Sequence, residues 1–196
     1  MLSKSLLQRC SAALLALAAL LLPQPAPAAV EITFYAREMG SQFPHGFVTL
    51  EGTPDRGGER ISTNYGFTAT HVSPAILFGS VRGVVEPSSE GYVRGSEAHF
   101  AFTLTDAEYD KVMETVARYA ALPQPSYSLN RRNCVHFIGD VAAALGMSAD
   151  VPRNLNRRPR SFLELVVRNN RAWLDQRQAR ILREPPAPRP ERRRRG

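Results

Sequence analysis

The sequence has few cysteines, no internal repeat and no apolar run long enough to form a membrane helix. Cys10 and Cys134 are its only cysteines. The longest apolar run, 11–22, is shorter than the roughly 20 residues that cross a bilayer. The four histidines and two cysteines show none of the spacings typical of zinc sites. These absences argue against a disulfide scaffold, a repeat protein and a zinc protein, and we expect neither a metal nor a cofactor.

The centre of the chain also has almost no net charge. The 196 residues carry a net charge of +7, but residues 29–170 hold 14 basic and 15 acidic side chains. The excess lies in residues 1–28 and in 171–196, where nine arginines face three acids. The basic character therefore belongs to the two ends, and we expect no specific nucleic-acid binding by the folded body.

The first 28 residues have the three parts of a secretory signal peptide. Lys4 and Arg9 precede the apolar run, and the small residues Ala26 and Ala28 follow it. We expect cleavage after Ala28 and a periplasmic or secreted location. Because Cys10 would leave with the signal, the mature chain would hold one cysteine and no internal disulfide.

The rest of the mature chain predicts strands first and helices later. Short β-branched segments predict five strands, with hairpin-type turn residues at 52–58 and loops at 70–79 and 88–95. Thr105 and Glu108 form a capping-box pattern before a helix that ends near Leu122. Residues 161–182 predict a further helical stretch, which is interrupted at Asn169-Asn170. The predicted strands are Val30–Tyr35, His45–Leu50, Ile61–Phe67, Val81–Glu86 and His99–Leu104. We therefore predict an α+β domain over 29–182, an antiparallel sheet packed against helices, followed by a Pro/Arg-rich tail at 183–196.

Cys134 lies in the first turn of another predicted helix, for which Asn133 is a good N-cap and Gly146 a good end. The helix N-terminus favours a thiolate, so this position predicts a lowered pKa for Cys134. The structural alternative is that Cys134 only begins a packed apolar stripe. That stripe, at helical spacing, is Cys134, Phe137, Ile138, Val141, Ala142 and Leu145.

A general base for such a thiol must come from His45, His71, His99 or His136. His136 is only two residues from Cys134, so on a helix the two side chains diverge by about 200°. We therefore expect His136 to cap or pack locally. His45 begins a strand, His71 lies in a loop, and His99 has no special context. Spacing alone does not choose among them.

The segment Tyr127-Ser-Leu-Asn-Arg-Arg-Asn-Cys-Val-His-Phe137 resembles the cysteine segment of circularly permuted NlpC-like papain-fold proteins. Asn-Cys-Val-His-Phe is similar to the Asn-Cys-Glu-His-Phe of the lecithin–retinol acyltransferase branch, with Val135 in place of the acid. In that group the histidine strand precedes the cysteine helix, and Pro44-His45-Gly46-Phe47 occupies this place, with Pro44 where glycine is more usual. The resemblance covers about Val30 to Gly146.

The resemblance implies a permuted papain-like fold with Cys134 as nucleophile and His45 as general base. It implies a third polar residue that orients the imidazole, for which Asn64 is slightly preferred over His71. It also implies an oxyanion pocket at the helix N-terminus. Tyr127 would contribute a hydroxyl to this pocket or pack beneath the helix.

These expectations favour a cysteine-dependent hydrolase of amide bonds outside the cytoplasm. The substrate would be an amide- or acyl-containing component of the envelope, such as cell-wall peptides if the source is bacterial. An acyltransferase or lipid thioesterase of the lecithin–retinol type is the alternative within the same fold. A non-catalytic envelope-binding domain is the alternative of another class, with the tail arginines on an anionic surface; we expect a monomer in each case. Those arginines are Arg192, Arg193, Arg194 and Arg195.

Overall fold

The computed structural model describes residues 29–38, 44–71 and 74–187. The predicted signal peptide at 1–28, with Cys10, lies outside the described residues, as do Arg192 to Arg195 of the tail. No helix in the described part of the chain is long and apolar enough to cross a membrane.

Within the described residues, six strands form one antiparallel sheet in the order β4-β3-β2-β1-β5-β6. The five predicted strands are present, each within a few residues of its predicted bounds. Val81 is an exception, because it pairs only with Tyr127 in an isolated bridge before the fourth strand begins. The strands are β1 Val30–Arg37, β2 His45–Gly52, β3 Ile61–Ala69, β4 Gly83–Glu86, β5 Glu97–Leu104 and β6 Arg180–Ile181.

The described residues also form five α-helices, which accompany the sheet, and a 3-10 helix that spans Pro74–Leu77. The predicted capping box is confirmed, since the Thr105 hydroxyl accepts from the Glu108 N–H and the Glu108 carboxylate accepts from the Thr105 N–H. The helices are α1 Glu90–Arg94, α2 Asp106–Ala120, α3 Cys134–Ala144, α4 Pro159–Asn169 and α5 Arg171–Gln176. The α+β class, with an antiparallel sheet packed against helices, is confirmed.

The helical stretch predicted over 161–182, with its interruption at Asn169-Asn170, is confirmed as far as Gln176 and is wrong beyond it. Asn170 separates α4 from α5, and its side chain both accepts from the Ser148 N–H (2.7 Å) and donates to the Ser148 carbonyl (2.9 Å). After α5 the chain becomes strand β6, which pairs with β5. The ordered contacts also pass the predicted boundary at 182, because Arg183 and Glu184 both form ion pairs with the body. Tertiary contacts override the helical pattern here.

The two predicted loops also contain short helices. The 88–95 connection holds α1, whose N-cap Ser89 accepts from the Tyr92 N–H at 3.3 Å. The 70–79 connection holds the 3-10 helix. Both are five residues or shorter, which is too short to leave a periodic apolar pattern.

The two faces of the sheet differ in what covers them. Alternate residues such as Phe34, Val48 and Phe67 belong to the main core beneath α2, α3 and α4. The opposite face carries Tyr35 and Phe47, whose rings stack at 5.1 Å, and α1 lies over it. Neighbouring residues of a strand point to opposite faces, so each residue of β2 belongs to one of two environments.

Candidate functional site

Helix α3 begins at Cys134 because the Asn133 side chain caps it. The Asn133 carbonyl oxygen accepts from the N–H groups of Val135 (2.9 Å) and His136 (3.4 Å). Its amide donates to the carbonyls of Leu129 (2.7 Å) and Asn156 (2.6 Å). The predicted N-cap is confirmed, and so is the packed stripe, since all six of its residues are buried.

The Cys134 thiol is enclosed by the protein, with 4% of the residue exposed. Its sulfur lies 3.8 Å from the Pro44 carbonyl oxygen. Burial raises the pKa of the Cys134 thiol to about 11, although backbone N–H groups of Gly46, Val135 and Cys134 itself act in the other direction. The prediction of a lowered pKa is therefore wrong for this enclosed thiol, because desolvation outweighs the helix N-terminus.

His45 is the first residue of β2, and its imidazole packs among aromatic rings. The ring lies 5.8 Å from Phe47 and meets Tyr92 edge-on at 6.2 Å. A Cβ on Gly66 would lie 2.4 Å from the His45 Nε2, so the neighbouring strand needs a glycine there. Burial lowers the pKa of His45 to about 4, which leaves a neutral imidazole at pH 7.

Cys134 and His45 meet at the backbone of β2. The sulfur contacts Pro44, and the thiolate is favoured by the N–H of Gly46, so both neighbours of His45 lie against it. A Cβ on Gly46 would strike Ile138 of α3, which means that the His45 side chain leaves the strand on the opposite face. No hydrogen bond joins the thiol and the imidazole among the described residues.

The two candidates for the third residue are placed differently. Asn64 lies on the same sheet face as Gly66, but its amide donates to the Ser88 carbonyl (3.0 Å) and its oxygen accepts from the Ser88 N–H (2.6 Å). This pair of bonds holds the connection that leads into α1. His71 is exposed in the bend after β3. Neither makes a described contact with the imidazole.

Tyr127 lies in the core beside the thiol. Its ring is 5.4 Å from Phe67, and its backbone N–H and carbonyl both bond to Val81. Burial, together with the nearby Cys134, raises the pKa of Tyr127. The side chain therefore packs beneath the start of α3 as a neutral phenol.

Tyr92 and Arg37 are two site residues that the sequence analysis missed. Tyr92 packs on His45 and Phe47, and burial raises its pKa, with the charge of Cys134 acting in the same direction. The Arg37 guanidinium lies 4.3 Å from the Tyr92 ring centre and donates to the Tyr92 carbonyl at 3.0 Å. The sequence holds one signal for α1, because Ser89 three residues before Tyr92 has the spacing of an N-cap.

The other two histidines lie away from the imidazole of His45. His136 is half-buried and its Nδ1 is 3.0 Å from the Asn133 side-chain oxygen, which agrees with the local role predicted for it. His99, which the sequence left without a role, is fully buried in β5, and neither ring nitrogen has a hydrogen-bond partner within the described ranges. Burial and the charges of Arg183 and Arg160 lower the pKa of His99 to about 3.

In the described ranges, no group of three or more His, Cys, Asp or Glu side chains could hold a metal ion. Comparisons with protein-family models, with curated proteins and with solved structures found no match to this chain.

Proposed function

We propose that this protein is a periplasmic or secreted cysteine-dependent hydrolase of amide or related acyl bonds, with Cys134 as the nucleophile and His45 as the general base. The observation that carries the proposal is the position of the thiol. Its sulfur lies against the backbone of Pro44 and Gly46, the two residues that flank His45. The fold thus brings the single cysteine after residue 28 to the strand of the histidine singled out by the resemblance.

The chemistry follows from these groups. Cys134 gives its proton to His45 as the sulfur attacks the acyl carbon, and a thioester forms when the carbon–nitrogen bond breaks. The leaving amine takes the proton from His45. His45 then accepts a proton from the water that attacks the thioester and returns it to the Cys134 sulfur as the carbon–sulfur bond breaks. The N–H groups of Gly46 and of Cys134 itself, which favour the thiolate, are suited to hold the oxyanion.

The enclosed, neutral state sets a condition on this mechanism. With the pKa of Cys134 near 11 and that of His45 near 4, the free protein holds a neutral thiol and a neutral imidazole at pH 7. Because the His45 side chain leaves β2 on the face away from α3, substrate binding must also turn the imidazole towards the thiol before the proton is transferred. Tyr92 and its partner Arg37 cover the imidazole and are the groups that a substrate would have to displace.

The decisive experiment is intact-mass analysis of the protein after mixing with muropeptides or with phospholipid vesicles. We expect an acyl adduct on the Cys134 peptide and turnover that falls at least about 1000-fold in Cys134→Ala, because the nucleophile is lost. Cys134→Ser, which keeps the size of the side chain, should fold normally and lose turnover to a similar extent. Undiminished turnover in a folded Cys134→Ala protein would reject the proposal.

The choice of substrate in that experiment also separates the related alternatives. An adduct formed with phospholipid and not with muropeptides would favour the acyltransferase or thioesterase of the lecithin–retinol type. The burial of Cys134 specifically favours a second candidate, a non-catalytic envelope-binding domain in which the thiol is structural. That domain would be supported if neither substrate gives an adduct and if Cys134→Ala binds the cell envelope as well as the wild type does.

A further inference from the structure

A pocket beside the start of α3 is lined by arginines. Its volume is about 490 Å³, within the range of small-molecule sites. We call it the arginine pocket, and it is lined by Asn130, Arg131, Arg153, Asn156 and Arg157.

In the described part of the chain, the arginines of this pocket lack the acidic partners that many other arginines have. Among the described residues, nine arginines lie within 4.0 Å of a carboxylate and eight do not. Three of those eight, Arg131, Arg153 and Arg157, line the arginine pocket. The pocket therefore holds three positive charges for which the described part of the chain provides no ion pair.

The pocket is also organised by hydrogen bonds. The Asn130 side-chain oxygen accepts from Nε (3.0 Å) and from Nη2 of Arg157, which fixes one edge of that guanidinium and leaves Nη1 outside these bonds. The Asn156 amide donates to the Asn130 carbonyl at 3.1 Å. The Asn156 carbonyl in turn accepts from Asn133, the cap of α3. The pocket is thus tied to the helix that begins at Cys134.

We propose that the arginine pocket binds the phosphoryl group of a phosphorylated small molecule or lipid headgroup. A phosphate monoester carries about −1.5 to −2 charges and three acceptor oxygens at pH 7, which suits several guanidinium forks at once. A carboxylate carries a single charge and is satisfied by one fork. The volume leaves room for the group that bears the phosphate, and the inference does not depend on catalysis by Cys134.

Calorimetric titration of the full-length chain with inorganic phosphate, at constant ionic strength in a chloride buffer, tests the site. We expect saturable binding that weakens at least about 10-fold in Arg131→Gln/Arg153→Gln, because two charge-assisted donors are lost. Acetate should bind at least about 10-fold more weakly than phosphate. The matched control is Arg82→Gln/Arg168→Gln, which removes the same charge from two other unpaired arginines and should change affinity less than about 2-fold.

A second arm distinguishes the sources of the phosphoryl group. Sedimentation with phosphatidylcholine vesicles, with and without phosphatidic acid, measures headgroup binding, while glycerol phosphate represents soluble esters. Binding in either arm that the pocket variant loses and the control keeps supports the site and identifies its source. The proposal is overturned if phosphate does not saturate, if both double variants weaken binding equally, or if acetate binds as well as phosphate.

Discussion

Two arginine-rich regions of this molecule differ in how their charge is balanced. At one edge of the sheet, Arg160 pairs with Glu38 and Glu97, and Arg183 pairs with Glu97 and Glu164. We call these residues, together with the buried His99, the edge cluster. In the arginine pocket the same residue type faces two asparagines and no described carboxylate.

The difference indicates two uses of one side chain. In the edge cluster each guanidinium is partly buried and forms ion pairs within the chain. These ion pairs join β5, α4 and the segment after β6. In the pocket the guanidiniums are exposed, and mutual repulsion makes them a small cost to stability until an anion binds. We therefore expect substitutions in the edge cluster to change stability and substitutions in the pocket to change binding.

The largest effect on stability should come from acid at the edge cluster. The pKa of His99 is about 3 in the folded protein and about 6.5 when unfolded, so the unfolded chain binds the proton first as the pH falls. The contribution of His99 is complete above pH 6.5 and is lost towards pH 3, at most about 1.4 kcal/mol per pH unit. Denaturant unfolding of wild type and His99→Leu at pH 7 and pH 4.5 measures it.

We expect the wild type to lose roughly 2–3 kcal/mol more than His99→Leu over that interval. The groups around His99, including Arg160, Arg183 and the three acids, are present in both proteins, so their titration largely cancels in the comparison. Equal losses in the two proteins would show that His99 takes up its proton while the protein remains folded.

An intermediate effect is expected where the pocket joins α3. Asn133→Ala removes the cap and leaves the carbonyls of Leu129 and Asn156 without their donor, which should cost about 2 kcal/mol in the free energy of unfolding. Phosphate binding should weaken as well, because Asn156 loses its anchor. Asn133→Asp keeps the acceptor for the helix and should recover part of the stability; an Ala variant as stable as Asp would contradict the role of the cap.

The smallest effect compares one substitution in both regions. Arg160→Met removes the partner of Glu97 and Glu38 and should lower the free energy of unfolding by about 1 kcal/mol, since the cluster is partly exposed. Arg131→Met in the pocket removes no ion pair and should change it by less than about 0.5 kcal/mol. Thermal unfolding of the two variants measures both changes. A larger loss of stability in Arg131→Met than in Arg160→Met would contradict this prediction.

Local patterns predicted much of the fold. The strand alternation of β1, the capping box before α2 and the stripe that begins at Cys134 are each properties of a few consecutive residues. The helical prediction over 161–182 was wrong only after Gln176, because residues 180–181 pair with β5, which is distant in sequence. Helix α1 is too short to give a periodic pattern, so Ser89 as a possible N-cap was its only signal in the sequence.

In the candidate site, too, local patterns were predicted from the sequence and distant contacts were not. The sequence placed Cys134 at a helix N-terminus and His45 on a strand, and the packing brought that strand to the thiol. Residue spacing could not predict which face of the sheet His45 occupies. It also could not predict that the Asn64 side chain forms hydrogen bonds with the Ser88 backbone. Both depend on how β2 and β3 lie against the helices.

The sequence by itself determined that this chain forms an antiparallel sheet with helices and that Cys134 begins one of them, because helix caps and apolar periodicity act over a few residues. Only the tertiary structure decided the ionisation of Cys134, His45 and His99, since a pKa depends on how much water the rest of the fold excludes. It alone also assembled the arginine pocket, because Arg131 and Arg153 are more than 20 residues apart in sequence, and their charges meet only when the loop before α3 packs against the segment before α4.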